Sequence, residues 1–316
     1  MGAGAIGCTI AARLALANQD TSLVARGEAL TSIQRQGICL TDLEGEHQVA
    51  VKATADIAAL GVQDVVFLCT KAPALQGLLP SLTPLLANDT VVVPLVNGVP
   101  WWYFHGESGR FAGDWIEAVD PGGALSRALD PQHILGCVVY ITAEVQAPGL
   151  VVATNPHMLI LGEPDNSQSE RLARVCTLLT NAGIRTQASE RIRDPLWTKI
   201  IANLTSNPLS VVTGATLGQV YSEPSLAPIV NKMLNETLLI AASYGARINL
   251  DPKSLMAMGA GMGAVRSSML QDYCQGRPLE LAAIGEAVLE LAERQGLNMP
   301  VTRDILNLAR FRSESP

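Results

Sequence analysis

Gly2-Ala3-Gly4-Ala5-Ile6-Gly7, at the start of the chain, is a GxGxxG run followed directly by a segment with helical spacing. Glycines at these positions allow a tight turn and a close backbone approach to phosphate, and the helix N-terminus beyond them attracts the negative charge. Alone the motif is weak, because Ala/Gly-rich segments match it by chance. Its context strengthens it. Residues 21–25 read as the next strand and end in Arg26, about twenty residues on, where NAD-binding chains place an acidic side chain for the ribose hydroxyls. An arginine cannot accept those hydroxyls but can pair with a 2′-phosphate, which selects NADP; an ordinary surface arginine is the alternative. The fingerprint normally follows a strand, and here only Met1 precedes it. Without that central strand two neighbours would carry unpaired backbone groups beside a hole in the core. The expectation is a sequence that begins late, in preference to a rearranged sheet.

The bulk numbers fit this reading. A chain of 316 residues suits two domains better than one core. Hydrophobic residues make up 48% and charged ones 16%, so the composition supplies buried cores and argues against disorder. A net charge of −7 speaks against nucleic-acid binding, which needs a basic face. A few local cations can still bind an anionic substrate. The six cysteines (8, 39, 69, 137, 176 and 274) form no CxxC pair and read as buried thiols of a reducing compartment. No apolar run reaches membrane-spanning length. The first residues lack a basic signal-peptide region and, with Ile6, a myristoylation serine, so the cytoplasm is the default location.

Beyond the fingerprint, helical spacing runs over residues 5–17, with Ile6, Ile10 and Leu14 four apart, and over 74–86, broken near Pro80. Residues 64–69 and 90–96 are nearly continuous in Val, Leu and Phe, as strands buried on both faces of a parallel sheet should be. Strand-like runs return at 134–145 and 157–161, before a loop at 163–167 and a helix at 170–182. From residue 194 strand signals fade and helical periodicity covers 226–244, 255–269, 278–295 and 302–311. Asp194-Pro195 reads as an N-cap and first helical residue, and Pro278 and Pro300 as helix starts. The prediction is an α/β fold, a Rossmann-type doubly wound sheet domain followed by an all-helical C-terminal domain. Residues 1–189 would bind the cofactor and residues 190–316 the substrate and a second subunit.

Lys199, Asn203 and Asn207 lie four apart in the segment opened by Asp194, so they share one helical face. Around them stand Leu196, Trp197, Ile200, Ile201, Ala202 and Leu204. A lysine buried in such surroundings costs much free energy unless paired or functional. One ammonium and two amides aimed into a cleft offer a proton donor with partners for carboxylate or hydroxyl oxygens. Spacing alone fits a solvated face equally well. Pro208 disfavours helical geometry at Asn207 and predicts a displaced last member.

Taken in order, Gly2-x-Gly4-x-x-Gly7, Arg26, Lys71, Asn97-Gly98, Leu196-Trp197-x-Lys199, Asn203, Asn207-Pro208-Leu209, Ser268-Met269-Leu270-Gln271-Asp272 and Glu280 resemble the motif series of ketopantoate reductases. The resemblance spans nearly the whole chain, and its lysine-asparagine and serine-glutamine-aspartate blocks are far more specific than the glycines. It implies an NADPH-dependent reductase of a small 2-oxo acid, ketopantoate first among them. Gly2, Gly4, Ala5, Ile6 and Gly7 would cradle the cofactor, with Arg26 and Lys71 on its phosphates and Asn97 beside the nicotinamide and substrate. Lys199 would protonate the keto oxygen, Asn203, Asn207 and Ser268 would bind substrate, and Glu280 would contact cofactor ribose or lysine and help set the site. No metal enters this reading, and a homodimer is compatible with it.

Three departures bear on the substrate. Ala282 stands where the family usually has Asp, residues 214–218 lack a further substrate Asn, and the Gly- and Pro-rich segment 98–133 is longer than expected. The alternatives are a reductase or dehydrogenase of another 2-oxo or hydroxy acid, and a non-catalytic NADP-binding homologue. Trp101 and Trp102 in the long segment fit a pocket roof as well as they fit packing or a dimer contact. His47, His105, His133 and His157 read as surface or turn residues, and Met256, Met258, Met262 and Met269 as helical core. The Gly259–Gly263 run reads as close helix packing or a local break in preference to a phosphate loop.

Overall fold

The computed structural model describes residues 1–249 and 251–314. Their contacts divide into two compact units. Unit 1 comprises 1–96, 104–114 and 124–192; unit 2 comprises 97–103, 115–123 and 193–316.

Unit 1 opens with helix α1 (Ala5–Leu16), β1 (Ser22–Val24), α2 (Gly27–Gln36), β2 (Ile38–Asp42), β3 (Gly45–Val49), β4 (Lys52–Thr54) and β5 (Val65–Leu68). It continues through α3 (Leu75–Leu78), β6 (Val91–Pro94), α4 (Ala124–Ala128), β7 (Gly136–Val139) and β8 (Ala143–Ala147). β9 (Leu150–Ala153), β10 (Met158–Gly162), α5 (Glu170–Asn181) and β11 (Arg185–Ala188) complete it. β1 pairs in parallel with β4, and β5 with β6. A parallel bridge from Val92 to Ile134 leads from β6 toward β7, which joins β10 and β11. β3, β2, β9 and β8 form a separate four-stranded sheet.

The predicted strands at 21–25, 64–69 and 90–96 are present. β2, β3, β4, β9 and β11 were not predicted; exposed or mixed-polarity positions break the alternation in β3, β4 and β11, whereas β2 and β9 do alternate buried and half-buried residues. α1 is buried on two sides. Ile10 and Leu14 join Val91, Val93, Leu159 and Leu179 in one core, while Cys8, Ala11 and Ala12 join Leu23, Ile38 and Val151 in another. Each large apolar side chain so buried contributes about 1.5–3 kcal/mol, and small Ala and Cys residues let the strands come close.

Between β1 and β5, where the sequence lacked a strand, Met1 and Gly2 supply a short ladder. The Met1 amine donates to Phe67 O at 2.8 Å, Cys69 N to Met1 O at 2.9 Å, and Gly2 N to Val24 O at 3.0 Å. Alongside lies a cleft lined by Met1, Leu23, Val65 and Phe67.

A buried polar cluster ties α1 to the four-stranded sheet. Asp42 accepts from Arg13, from His157 Nε2 at 3.0 Å and from Glu44 N at 3.0 Å, with His47 Nε2 at 3.4 Å. Arg13 also donates to Glu44 at 2.6 Å. The histidine expectation needs correction in part: His105, His133 and His157 lie in turns or loops as expected but are buried, and His47 lies within β3. His133 sits 2.9 Å from Thr90 O, so a polar partner makes its burial tolerable.

Unit 2 is helical: α6 (Arg193–Thr213), α7 (Leu217–Ser222), α8 (Ala227–Ser243), α9 (Pro252–Gly261), α10 (Ser268–Cys274), α11 (Ala287–Arg294) and α12 (Pro300–Glu314). α6 is central, packing against α7, α8, α10 and α12. It starts one residue before Asp194, which therefore sits in the first turn and accepts from Arg247 N at 2.9 Å. It also continues through Pro208, so Asn207 stays on its face, contrary to expectation. Packing outweighs the local penalty here, because residues 204–211 are all buried. Thr205, Ser206 and Ser210 bond Ile201 O, Ala202 O and Asn207 O at 2.7–2.8 Å.

The predicted helix at 255–269 is two, α9 and α10, parted where Gly263 adopts φ +59°. A Cβ on Gly259 would lie 2.3 Å from the Tyr221 ring, so this glycine run serves close packing and a break together. Met258 and Met262 are exposed, and only Met269 of the methionine group is core. Pro278 starts no helix, the turn from Ala282 to Glu286 being π-helical before α11 begins. Trp101 and Trp102 are 2% and 1% exposed, which favours packing over a roof. The cysteines are free, but Cys274 is exposed and only Cys8 and Cys137 are buried.

Candidate active site

In unit 1 the glycines are fixed by contacts that no side chain would permit. Gly2 holds φ +98°, and a Cβ on Gly7 would lie 1.9 Å from Gly2 O. Gly4, the N-cap of α1, faces open space instead, with no atom within 4 Å of a would-be Cβ. No side chain among the described residues caps α1, and its first turn holds no acid. The early N–H groups, including those of Ala5 and Ile6, therefore present a positive helix end over an open glycine. That is the donor set a dinucleotide pyrophosphate requires.

Arg26 is exposed just past β1, and Lys71 just past β5. Through the Met1–Gly2 ladder both strands end at the glycine loop, so loop, Arg26 and Lys71 share the carboxyl edge of parallel strands, where such sheets bind ligands. Next to the loop, burial pushes the Cys8 thiol up to about 12 and raises Cys69 as well. Both are therefore unreactive thiols.

In unit 2, α6 carries Lys199 and Asn203 half-buried and Asn207 buried. Asn207 Oδ1 accepts from Ser206 at 3.2 Å, while its Nδ2 has no partner among the described residues. A buried amide donor left open is costly unless a ligand completes it. Asn97 and Glu280 are half-buried, and Asn97 is followed by Gly98 at φ +78°. Ser268 is exposed in the first turn of α10. Its neighbour Ser267 is buried, caps that helix by accepting from Leu270 N at 3.0 Å, and lies 2.6 Å from Ser210 on α6. The N-cap preference of serine was the available signal for Ser267. Asp272 at the other end pairs with Arg277 at 2.7 Å, so the block is partly a structural brace. The described residues hold no cluster that could bind a metal ion, and no helix among them is long and apolar enough to cross a membrane.

Comparison with known proteins agrees with the motif order. Residues 1–104 match the family model described as ketopantoate reductase PanE/ApbA, and residues 191–313 match its C-terminal model. A 2-dehydropantoate 2-reductase of Mesorhizobium japonicum is 39% identical over 98% of this chain and 95% of its own length. The chain belongs to the ketopantoate reductase family. A crystal structure from Ralstonia solanacearum MolK2, provisionally named a ketopantoate reductase, is 38% identical. It superposes with TM-score 0.94 over 99% of this chain and 96% of that one. The fold is shared by solved structures at lower identity. D-mandelate dehydrogenase, solved with NADH and anilino(oxo)acetate, has TM-score 0.84 at 19% identity over 99% of this chain and 97% of its own.

Proposed function

We propose that this family member reduces ketopantoate to pantoate with NADPH, using Lys199 as the proton donor. The carrying observation is the α6 face, where a half-buried lysine stands in line with Asn203 and with Asn207, whose amide donor is open. When bound, NADPH supplies the hydride. As the keto carbon is reduced, negative charge grows on its oxygen, and the Lys199 ammonium stabilises that charge and delivers the proton. Asn203, Asn207 and Ser268 hold the carboxylate and hydroxyl of the substrate. Glu280 contacts Lys199 or the cofactor ribose, and Asn97 orients the nicotinamide beside the substrate.

Residues 1–189 serve the cofactor and residues 190–316 the substrate. The uncapped α1 turn takes the pyrophosphate, while Arg26 and Lys71 take phosphate charge. Arg26 favours NADPH by pairing with its 2′-phosphate. Leu308 and Phe311, 50% and 68% exposed on one side of α12, support a homodimer formed through unit 2. The cytoplasm, where thiols remain reduced, is the proposed setting.

The assay is the fall in NADPH absorbance when ketopantoate is added, beside a panel of bulkier 2-oxo acids. Turnover favouring ketopantoate supports the substrate; turnover confined to a bulkier acid moves it. In the same assay Arg26→Ala should raise the KM for NADPH about 10- to 100-fold, the worth of a charge-assisted contact. The KM for NADH should stay within about threefold. Equal losses for both cofactors would remove the 2′-phosphate assignment.

A further inference from the structure

We propose that the π-helical turn Ala282–Glu286 is a positioning device that fixes Asn97 relative to the helix bearing Glu280. The inference rests on the reading of Asn97, Lys199 and Glu280 as site residues, and every contact that carries it lies within unit 2. In an α-helix the Ala287 amide would bond Ala283 O; here it bonds Ala282 O, five residues back. The Ala283 carbonyl thereby loses that partner and accepts instead from Val99 N at 2.8 Å. Directly before Val99, Gly98 lies against the same peptide unit. A Cβ there would stand 2.2 Å from Ala283 O and 2.8 Å from Ile284 N, at a φ of +78° that already excludes most side chains. Asn97 is thus one residue from a contact that tolerates no displacement, and Glu280 is two residues before the turn.

Two further contacts hold the device in place. Gly285 leaves room for Leu306 of α12, since a Cβ on it would lie 2.3 Å from that side chain. At the other end of segment 97–103, Tyr103 is pinned to α6. Its carbonyl accepts from Arg193 Nε at 2.8 Å and its hydroxyl from Trp197 Nε1 at 2.8 Å, two residues before Lys199. The strap from Asn97 to Tyr103 therefore joins the π turn to the lysine helix, and Gly98 and Gly285 are its positioning residues. A π turn is a tertiary feature that residue types alone do not announce, and the Ala282 departure falls on its first residue.

The test is Gly98→Ala in the full-length protein, read by steady-state kinetics, NADPH binding and hydrogen exchange. Faster exchange in the peptides covering 97–103 and 280–286 is expected together with a kcat lowered about 100-fold, the scale of a 1 Å misplacement. The Kd for NADPH should remain within about threefold, because the glycine loop is untouched. A kcat within twofold of wild type despite faster exchange would overturn the proposal, as would unchanged exchange. Should Gly98→Ala not fold, Gly285→Ala and Gly285→Ala/Leu306→Ala carry the test. The single variant loses kcat and the double regains it, whereas regained melting temperature without regained kcat overturns positioning. A wild-type protein inactive on every 2-oxo acid sinks the proposed function alone, and the exchange result then decides this inference.

Discussion

Lys199→Ala is expected to lower kcat on ketopantoate about 10²- to 10⁴-fold, the range that a positioned general acid supplies. The loss should fall on kcat, since the ammonium interacts most strongly with charge that develops during hydride addition. The Kd for NADPH should stay within about threefold, because the phosphate contacts proposed for the glycine loop, Arg26 and Lys71 are left intact. Parallel measurement of kcat, KM and cofactor binding checks this. Turnover unchanged in Lys199→Ala would remove the proton donor whatever the fold, and a collapse confined to KM would make Lys199 a substrate anchor. Lys199→Arg, which keeps the charge but is a far weaker acid, should remain impaired.

Asp42→Ala is expected to destabilise unit 1 by about 3–5 kcal/mol, the usual result of removing one partner from a buried ion pair. The substitution leaves the buried Arg13 guanidinium paired with the exposed Glu44 carboxylate and takes the acceptor from His157 Nε2. Burial pushes the Asp42 carboxyl up, but the His157 and Glu44 hydrogen bonds and the Arg13 charge outweigh it, leaving it below the usual carboxylate value. A carboxyl lowered in the folded state stabilises fully above its unfolded pKa and ceases to do so as pH falls through the folded value. Wild type should therefore lose stability on acidification below the ordinary carboxylate range, and Asp42→Ala should lose less. Urea unfolding read by far-ultraviolet circular dichroism tests both points. All four tryptophans belong to unit 2, so their fluorescence midpoint should move less than the dichroism midpoint. Equal urea midpoints for wild type and variant would contradict the cluster's role.

How far the chain could be read from residues alone varied with what held each element. The strands at 64–69 and 90–96 were legible because both of their faces need apolar side chains. β3, with Glu46 and Gln48 exposed, is placed by its hairpin with β2, and β11, with Arg185 and Gln187 exposed, by a parallel ladder to β10 on the far side of α5. Pro208 misled because local geometry and burial conflict there, and burial prevailed. The histidines misled for a related reason. A buried His157 is tolerable only beside Asp42, a carboxylate 115 residues away, which no local window contains.

The candidate site divides in the same way. The glycine loop, Arg26 and the Lys199–Asn207 stripe depend on short-range spacing and were visible. The open Asn207 donor and the π turn under Gly98 depend on packing and were not. The chain also moves between its units at residues 97, 104, 115, 124 and 193. That exchange follows from anchors such as Glu290, which accepts from Glu117 N and Ala118 N at 2.9 Å, and not from composition.

The most direct measurement of the central claim is hydride transfer itself. Purified protein would be incubated with ketopantoate and NADPH deuterated at the transferable C4 position, and the product examined by NMR and mass spectrometry. The account predicts pantoate carrying one deuteron at C2, formed in step with NADPH oxidation. NADPH binding with no pantoate formed, or pantoate without the deuteron, would contradict it.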